Sequence, residues 1–195
     1  MSIHAGRSHG RLIVFSAPSG TGKSTIAARI LERFPDLVFS VSATTRARRS
    51  NEVDGTDYHF LSSEAFLSKV AQGGFIEHEF FFGNYYGTLL DKTSEALDAG
   101  VTMLLDLDVK GAVNVKKLFP ENTLTIFIKP PGFDVLTSRL KTRESEDAEG
   151  LAKRLDRYTL EMAYAPRFDA VVLNDDLGIA VDEVARLIGD FLQKK

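Results

Sequence analysis

Five short apolar runs, separated by segments with helical periodicity, dominate the pattern of this chain. The runs cover residues 12–15, 37–41, 101–105, 124–128 and 170–173. Helical segments are predicted at residues 26–34, 91–99, 110–118, 133–142, 151–164 and 178–193. Continuous apolar strands that alternate with helices are typical of a parallel sheet covered on both faces. The pattern therefore predicts an α/β fold, with helices flanking a parallel core sheet.

Two stretches interrupt this alternation. Residues 43–90 are polar and aromatic, and turn signals at Asp54-Gly55 and Gly83-Asn84 predict a small mixed α/β lobe of short antiparallel strands with one helix at 63–72. Residues 139–157 are dense in charges of both signs and predict a helical lid. We expect one domain over residues 11–195, with its core at 11–42, 91–138 and 158–195, preceded by a flexible tail at 1–10.

Composition excludes several classes of protein. The 195 residues include 24 Lys and Arg against 27 Asp and Glu, so the net charge of −3 argues against binding to long nucleic acids or anionic membranes. The absence of cysteine excludes disulfides, thiolate metal sites and cysteine nucleophiles. No apolar run reaches the roughly 18 residues of a membrane span, and residues 1–10 lack the apolar core of a signal peptide. We therefore expect a soluble, cytoplasmic protein.

The strongest local motif follows the first apolar run and opens the first predicted helix. It fits the phosphate-loop pattern G-x-x-x-x-G-K-S/T, except that Ala17 replaces the first glycine. Glycines let backbone N–H groups surround phosphate oxygens, and the helix N-terminus adds positive partial charge. Lys23 is predicted to bridge the β- and γ-phosphates, and the Ser24 hydroxyl to bind Mg²⁺. The predicted nucleotide-binding residues are Ala17, Pro18, Ser19, Gly20, Thr21, Gly22, Lys23, Ser24 and Thr25.

This loop alone indicates only a protein that uses a nucleoside triphosphate, because GTPases, motors and small-molecule kinases share it. The remaining motifs are more specific. Residues 44–61 read Thr-Thr-Arg-Ala-Arg-Arg-Ser-Asn-Glu-Val-Asp-Gly-Thr-Asp-Tyr-His-Phe-Leu, and they are followed by Gly83-Asn84-Tyr85-Tyr86-Gly87, Asp106-Leu107-Asp108 with Gly111, and Asn174-Asp175-Asp176. From residue 11 to its end, the chain resembles guanylate kinase. The resemblance implies a P-loop kinase core, a lobe that binds GMP, and Mg²⁺-dependent phosphorylation of GMP and dGMP by ATP.

The GMP phosphate is predicted to meet a cluster of arginines. Arg46 and Arg49 can both reach a dianionic phosphate through charge-assisted, bidentate contacts. The hydroxyls of Tyr58 and Tyr86 add neutral donors. Arg48 either adds a third contact or faces water, and we favour water.

Guanine recognition follows from the pattern of donors and acceptors. Glu77, matched by the resemblance, is predicted to accept from guanine N1–H and N2–H, while the Ser42 hydroxyl donates to O6. Adenine would leave the Glu77 carboxylate unpaired, which discriminates against AMP. Thr88 and Asp108 are predicted to complete the base and ribose contacts. The predicted GMP-binding residues are Ser42, Arg46, Arg49, Glu52, Tyr58, Glu77, Tyr86, Thr88, Asp106 and Asp108.

The predicted lid contributes further arginines. Arg139 and Arg143 are four residues apart, so they share one helical face, and like charges placed in this way favour an anionic partner. The resemblance matches both residues, together with Arg154, to lid arginines that close over the triphosphate. The alternative is a salt-bridged surface helix, because residues 144–149 are rich in acids. The predicted catalytic residues are Lys23, Arg46, Arg139, Arg143 and Arg154.

Several assignments stay open at this stage. Asp106 either holds Mg²⁺ through a water or meets the substrate, and Asn174 either lines the adenine site or ends a strand in a turn. Two alternative functions are a phosphopeptide-binding module and a P-loop kinase for another small acceptor. The presence of Lys23, Ser24 and the lid arginines favours the guanylate kinase reaction. Four positions depart from the usual family pattern without removing a named role: Arg48, Asn51, Lys110 and Glu144.

Overall fold

The computed structural model describes residues 10–81, 83–132 and 157–193 of the chain. Its core is a five-stranded parallel sheet in which β1 is central. The core strands are β1 (Arg11–Ser16), β2 (Leu37–Phe39), β7 (Thr102–Asp106), β8 (Thr123–Lys129) and β9 (Ala170–Leu173), in the spatial order β2-β7-β1-β8-β9. Each of the five apolar runs therefore forms a strand, as predicted.

Helices cover both faces of this sheet. They are α1 (Lys23–Arg33), α3 (Leu90–Asp98), α4 (Val109–Leu118), α5 (helical residues 157–164) and α6 (Leu177–Gln193). Ile13 and Phe15 pack into a cluster with α1 and α6, whereas Leu12 and Val14 pack into a second cluster with α3 and α4. Because alternate residues of β1 face opposite layers and both layers exclude water, the strand is apolar throughout.

A four-stranded sheet forms the lobe, in the order β4-β3-β6-β5. Its elements are β3 (Ala43–Thr44), β4 (His59–Phe60), α2 (Ser63–Ala71), β5 (Phe75–Phe81) and β6 (Asn84–Leu89). The ring of Phe66 anchors α2 by stacking on Phe75 at 4.3 Å and on Tyr85 at 5.3 Å between ring centroids. The hairpin between β5 and β6 turns at Gly83, whose φ of 77° suits glycine.

One expectation for the lobe is wrong. We predicted antiparallel strands, and β5–β6 and β3–β6 are antiparallel, but β3 and β4 run parallel. The Asp54-Gly55 turn does not join these two strands directly. It closes inside the connecting loop, where the Gly55 N–H donates to the carbonyl of Tyr58 at 2.8 Å. The loop therefore returns the chain to the starting end of β3, which makes the pairing parallel.

The predicted tail ends one residue too late. Gly10 is buried, its N–H donates to the Leu97 carbonyl at 3.1 Å, and its own carbonyl accepts from Asn122 Nδ2 at 2.8 Å. A Cβ at Gly10 would lie 2.7 Å from the Leu97 backbone, so this residue is part of the packed core. The rest of the expected tail and residues 139–156 of the expected lid lie outside the described residues. None of the helices described is both long enough and apolar enough to span a membrane.

Candidate active site

The phosphate loop connects the end of β1 to the start of α1. Gly20 and Gly22 have φ angles of 85° and 94°, which glycine adopts without strain. Thr21 is 1% exposed, and its hydroxyl donates inward to the Pro18 carbonyl at 2.6 Å, so it braces the loop. Gly22 caps α1, and among the described residues no side chain caps this helix end. The first N–H groups of α1 are therefore available to an anion.

Asn174 supports this loop from the end of β9. Its side chain is buried, and Nδ2 donates to the Thr21 carbonyl at 2.7 Å. A Cβ added at Gly22 would lie 2.7 Å from Asn174 Nδ2, so glycine is needed for this close approach. Asn174 therefore holds the loop, a role that neither sequence alternative included.

Lys23 and Asp106 form an ion pair at the carboxyl edge of the core sheet. Phe15 in β1 is in register with Asp106 in β7, which brings the end of β7 beside the loop. Ser24 and Asp106 supply the hard oxygen donors that Mg²⁺ prefers. Within the described ranges, no group of three or more His, Asp or Glu could enclose a metal ion. These residues fit a Mg²⁺ ion held by one or two side chains together with substrate phosphates.

Arg46, two residues after the end of β3, is held in a fixed orientation. Its guanidinium donates to both carboxylate oxygens of Glu52, at 2.6 and 3.1 Å, and to the Ala47 carbonyl at 2.8 Å. It also lies 5.4 Å from the ring centre of Tyr58 and 5.8 Å from that of Phe60. The bond to Glu52 raises the pKa of Arg46 further, so the side chain carries its charge at every physiological pH.

Glu52 organises the arginine loop. Besides pairing with Arg46, its carboxylate accepts from the backbone N–H of Arg49 at 2.8 Å, and both interactions lower the pKa of Glu52. The side chains of Arg48 and Arg49 are both exposed, and the preference for water over a phosphate contact at Arg48 stays a prediction. The structure thus places Glu52 as the partner of Arg46, and its predicted contact with GMP stays a prediction.

Glu77 on β5 is a half-buried carboxylate. Thr88, directly opposite on β6 and only 2% exposed, donates its hydroxyl to Glu77 Oε1 at 2.8 Å. Burial raises the pKa of Glu77 to about 7; the Thr88 hydrogen bond opposes this shift, and the nearby Asp108 charge adds to it. Thr88 therefore orients the carboxylate that is predicted to read guanine. Ser42 lies half-buried just before β3.

The first turn of α4 packs onto Glu77. Asp108 caps this helix by accepting from the Gly111 N–H at 2.6 Å. A Cβ at Gly111 would lie 2.6 Å from Glu77 Cγ, so glycine allows helix and carboxylate to approach. The structure thus brings Glu77, Thr88 and Asp108 together, and their contacts with guanine and ribose stay predictions.

Sequence reasoning missed Glu161 as a residue beside the site. Glu161 on α5 is 6% exposed, and it accepts from Arg157 Nε at 2.8 Å. Burial raises the pKa of Glu161, the Arg157 hydrogen bond opposes the rise, and the charges of Lys23 and Asp108 also act on it. The i, i+4 spacing of Arg157 and Glu161 was the available signal. The predicted lid residues Arg139, Arg143 and Arg154 lie outside the described residues.

Known proteins match almost the whole chain. A family model described as Guanylate kinase matches residues 9–191. Guanylate kinase from Chlorobium luteolum is 62% identical over 95% of this chain and 94% of its own length, and guanylate kinase from Chlorobaculum tepidum is 58% identical over 98% of both chains. The crystal structure of guanylate kinase from Anaplasma phagocytophilum superposes with a TM-score of 0.72 at 32% identity, over 97% of this chain and 89% of that one. The chain therefore belongs to the guanylate kinase family.

Proposed function

We propose that this member of the guanylate kinase family transfers the γ-phosphoryl group of ATP to GMP, and to dGMP, in line and with Mg²⁺. One observation supports this proposal above the others. A single short segment, residues 106–111, contacts both halves of the site: Asp106 pairs with Lys23 of the phosphate loop, and Gly111 packs against Glu77. One segment of chain therefore connects the proposed triphosphate site to the proposed guanine site.

On the donor side, the phosphate loop and the start of α1 provide backbone N–H groups for the triphosphate. Lys23 would leave Asp106 and bridge the β- and γ-phosphates, since a phosphate chain carries more negative charge than one carboxylate. Ser24, with Asp106 through a water, would hold Mg²⁺, which when bound neutralises charge on the phosphate oxygens. Thr25 lies in the first turn of α1.

On the acceptor side, Arg46 and Arg49 would bind the GMP phosphate, with Tyr58 and Tyr86 as neutral donors. The rings of Tyr58 and Tyr86 contact each other edge to face at 6.2 Å, so their side chains share one surface. An ionised Glu77 would accept both guanine donors, with Ser42 donating to O6. A buried carboxylate rejects adenine because the adenine N1 acceptor would leave it unpaired.

The reaction needs little covalent chemistry from the protein. The attacking phosphate oxygen is already anionic, so no general base is required, and positioning with charge neutralisation supplies most of the rate. Arg139, Arg143 and Arg154 are proposed to neutralise the transferred group as the lid closes. Closure would exclude water and so limit hydrolysis of ATP. We also propose that the protein acts in the cytoplasm, in guanine nucleotide metabolism.

The test is ATP-dependent phosphorylation of GMP, dGMP, AMP, CMP and UMP by the intact chain. We expect turnover with GMP and dGMP at a kcat/KM far above that of the other acceptors. Absence of turnover with every acceptor would favour a phosphopeptide-binding module, and faster turnover with AMP would refute the roles of Glu77 and Ser42.

A pair of lysine variants tests the phosphate loop. Lys23→Met is expected to remove turnover while GMP binding survives, whereas Lys117→Met, at an exposed position on α4, is the matched control that should behave as wild type. Normal turnover by Lys23→Met would contradict the donor site.

A further inference from the structure

Arg157 connects helix α5 to strand β5, and the proposed reaction assigns this arginine no role. Its Nε donates to Glu161 Oε1 at 2.8 Å, within α5. Its two terminal nitrogens reach the carboxylate of Glu79 on β5, at 3.2 and 3.4 Å. One guanidinium thus ties a helix beside the core sheet to a strand of the lobe, with the fork geometry that only arginine offers.

The lobe end of this bridge lies close to the predicted GMP contacts. Glu79 is two residues after Glu77, so both side chains leave the same face of β5. Glu79 is also directly opposite Tyr86 in β6. A shift of β5 at Glu79 would therefore move Glu77, which is proposed to bind guanine, together with Tyr86, which is proposed to contact the GMP phosphate.

The core end of the bridge is firmly held. The Glu161 side chain is 8% exposed, whereas the side chains of Arg157 and Glu79 are 39% and 46% exposed. A buried carboxylate with a bonded arginine keeps that arginine in one place, because losing the partner would leave a buried charge unpaired. Glu161 therefore holds the guanidinium in place, and the ion pair with Glu79 is the contact that can break.

We propose that Arg157 is a positioning residue that fixes strand β5 against helix α5, and so sets the affinity for GMP without touching it. The inference rests on the proposed function, since it concerns the GMP side of that site. It assigns to the Glu79–Arg157 pair an effect on KM for GMP, with little effect on KM for ATP.

Glu79→Gln distinguishes this positioning role from a direct electrostatic effect on GMP binding. If charge alone mattered, removing a negative charge near a dianionic ligand would strengthen GMP binding, because it reduces the Coulomb repulsion. It would also favour the ionised form of Glu77. Positioning predicts the opposite sign, because β5 would lose its tie to α5. The substitution leaves the pair between Arg157 and the buried Glu161 carboxylate intact, so the fold should survive.

The experiment measures KM for GMP, KM for ATP and kcat, with calorimetric titration of GMP alone. Glu79→Gln is expected to raise KM and Kd for GMP about two- to fivefold, the range for partly exposed ion pairs. Arg157→Gln should raise both at least as much, and the double variant should be no worse than the poorer single variant, as expected for interacting partners. Arg157→Lys should restore part of the affinity, since lysine keeps the charge and loses the fork.

The chain offers a closely matched control. Lys69 and Asp91 form an ion pair at 3.1 Å with side chains 38% and 48% exposed, joining α2 of the lobe to α3. Asp91→Asn removes the same charge from an ion pair that involves neither β5 nor α5, and it should leave KM for GMP unchanged. An unchanged or lower KM for GMP in Glu79→Gln, additive effects in the double variant, or an equal rise in Asp91→Asn would overturn the inference. Lack of turnover of GMP by the wild-type chain would instead refute the proposed function.

Discussion

Gly111→Ala tests the contact between α4 and the Glu77 carboxylate, which is proposed to bind guanine. The new Cβ would lie 2.6 Å from Glu77 Cγ, 3.1 Å from Asp108 Oδ1 and 3.2 Å from Glu77 Cβ. Ordinary van der Waals contact begins at 3.4 Å, so the Glu77 side chain or the first turn of α4 must move by 0.8 Å. A displacement of a bound substrate by about 1 Å can lower the rate on the order of 100-fold. We therefore expect kcat/KM for GMP to fall about 10- to 100-fold, with KM for ATP near the wild-type value.

The effect on stability is expected to be smaller than the effect on GMP. Replacing a helical glycine by alanine stabilises by about 0.5–1 kcal/mol, whereas overpacking costs about 1–3 kcal/mol, so the net loss should not exceed about 2.5 kcal/mol. We therefore expect Gly111→Ala to fold and to lose GMP turnover selectively.

The assay compares Gly111→Ala with a second helical glycine variant. At Gly189 in α6, a Cβ would have no described neighbour within 4 Å, so Gly189→Ala should raise Tm by about 1–4 °C and leave both KM values unchanged. Steady-state kinetics with GMP, calorimetric titration of GMP and thermal unfolding are measured for both variants. Wild-type kcat and KM for GMP in Gly111→Ala would refute the reasoning, because Glu77 would then tolerate displacement.

Three further predictions concern the same site. The pKa of Glu77 is raised to about 7, and the proposed guanine contact requires its ionised form, so KM for GMP should fall as pH rises through 7 and then level off. Because the raised pKa makes the native state hold a proton that the unfolded chain has lost, the free energy of unfolding falls as pH rises from 4.5 to about 7, and the full loss persists above 7. Glu77→Gln should therefore raise Tm at pH 8 but not at pH 4, while losing GMP turnover. Asn174→Ala leaves the buried Thr21 carbonyl without its partner, which costs about 1–3 kcal/mol, so KM for ATP should rise in kinetic assays while Kd for GMP stays constant. Glu52→Gln weakens the bidentate support of Arg46, and calorimetry should show weaker GMP binding, even though the variant removes a negative charge; tighter binding would contradict a supporting role.

Much of this molecule can be predicted from contiguous residues. The runs at β1, β7 and β8 are apolar because helices cover both faces of the sheet, and such runs are visible in the sequence alone. The phosphate loop is equally local, since its glycines and Lys23 lie within one strand–loop–helix unit. The residue pattern around Arg46 and Glu77 also carried the family resemblance, and it led to the correct reaction class.

The contacts that set the geometry of the site were decided by the tertiary structure. Asn174 meets Thr21 across 153 residues of chain, and Arg157 meets Glu79 across 78. Asparagine at the end of a strand and arginine in a charged segment each suit several roles, so residue type does not select among them. The parallel pairing of β3 and β4 likewise depends on the path of the loop between them. Local periodicity thus determined the elements and the loop chemistry, whereas long-range packing determined which side chains hold one another in place, because those partners meet only when the layers close together.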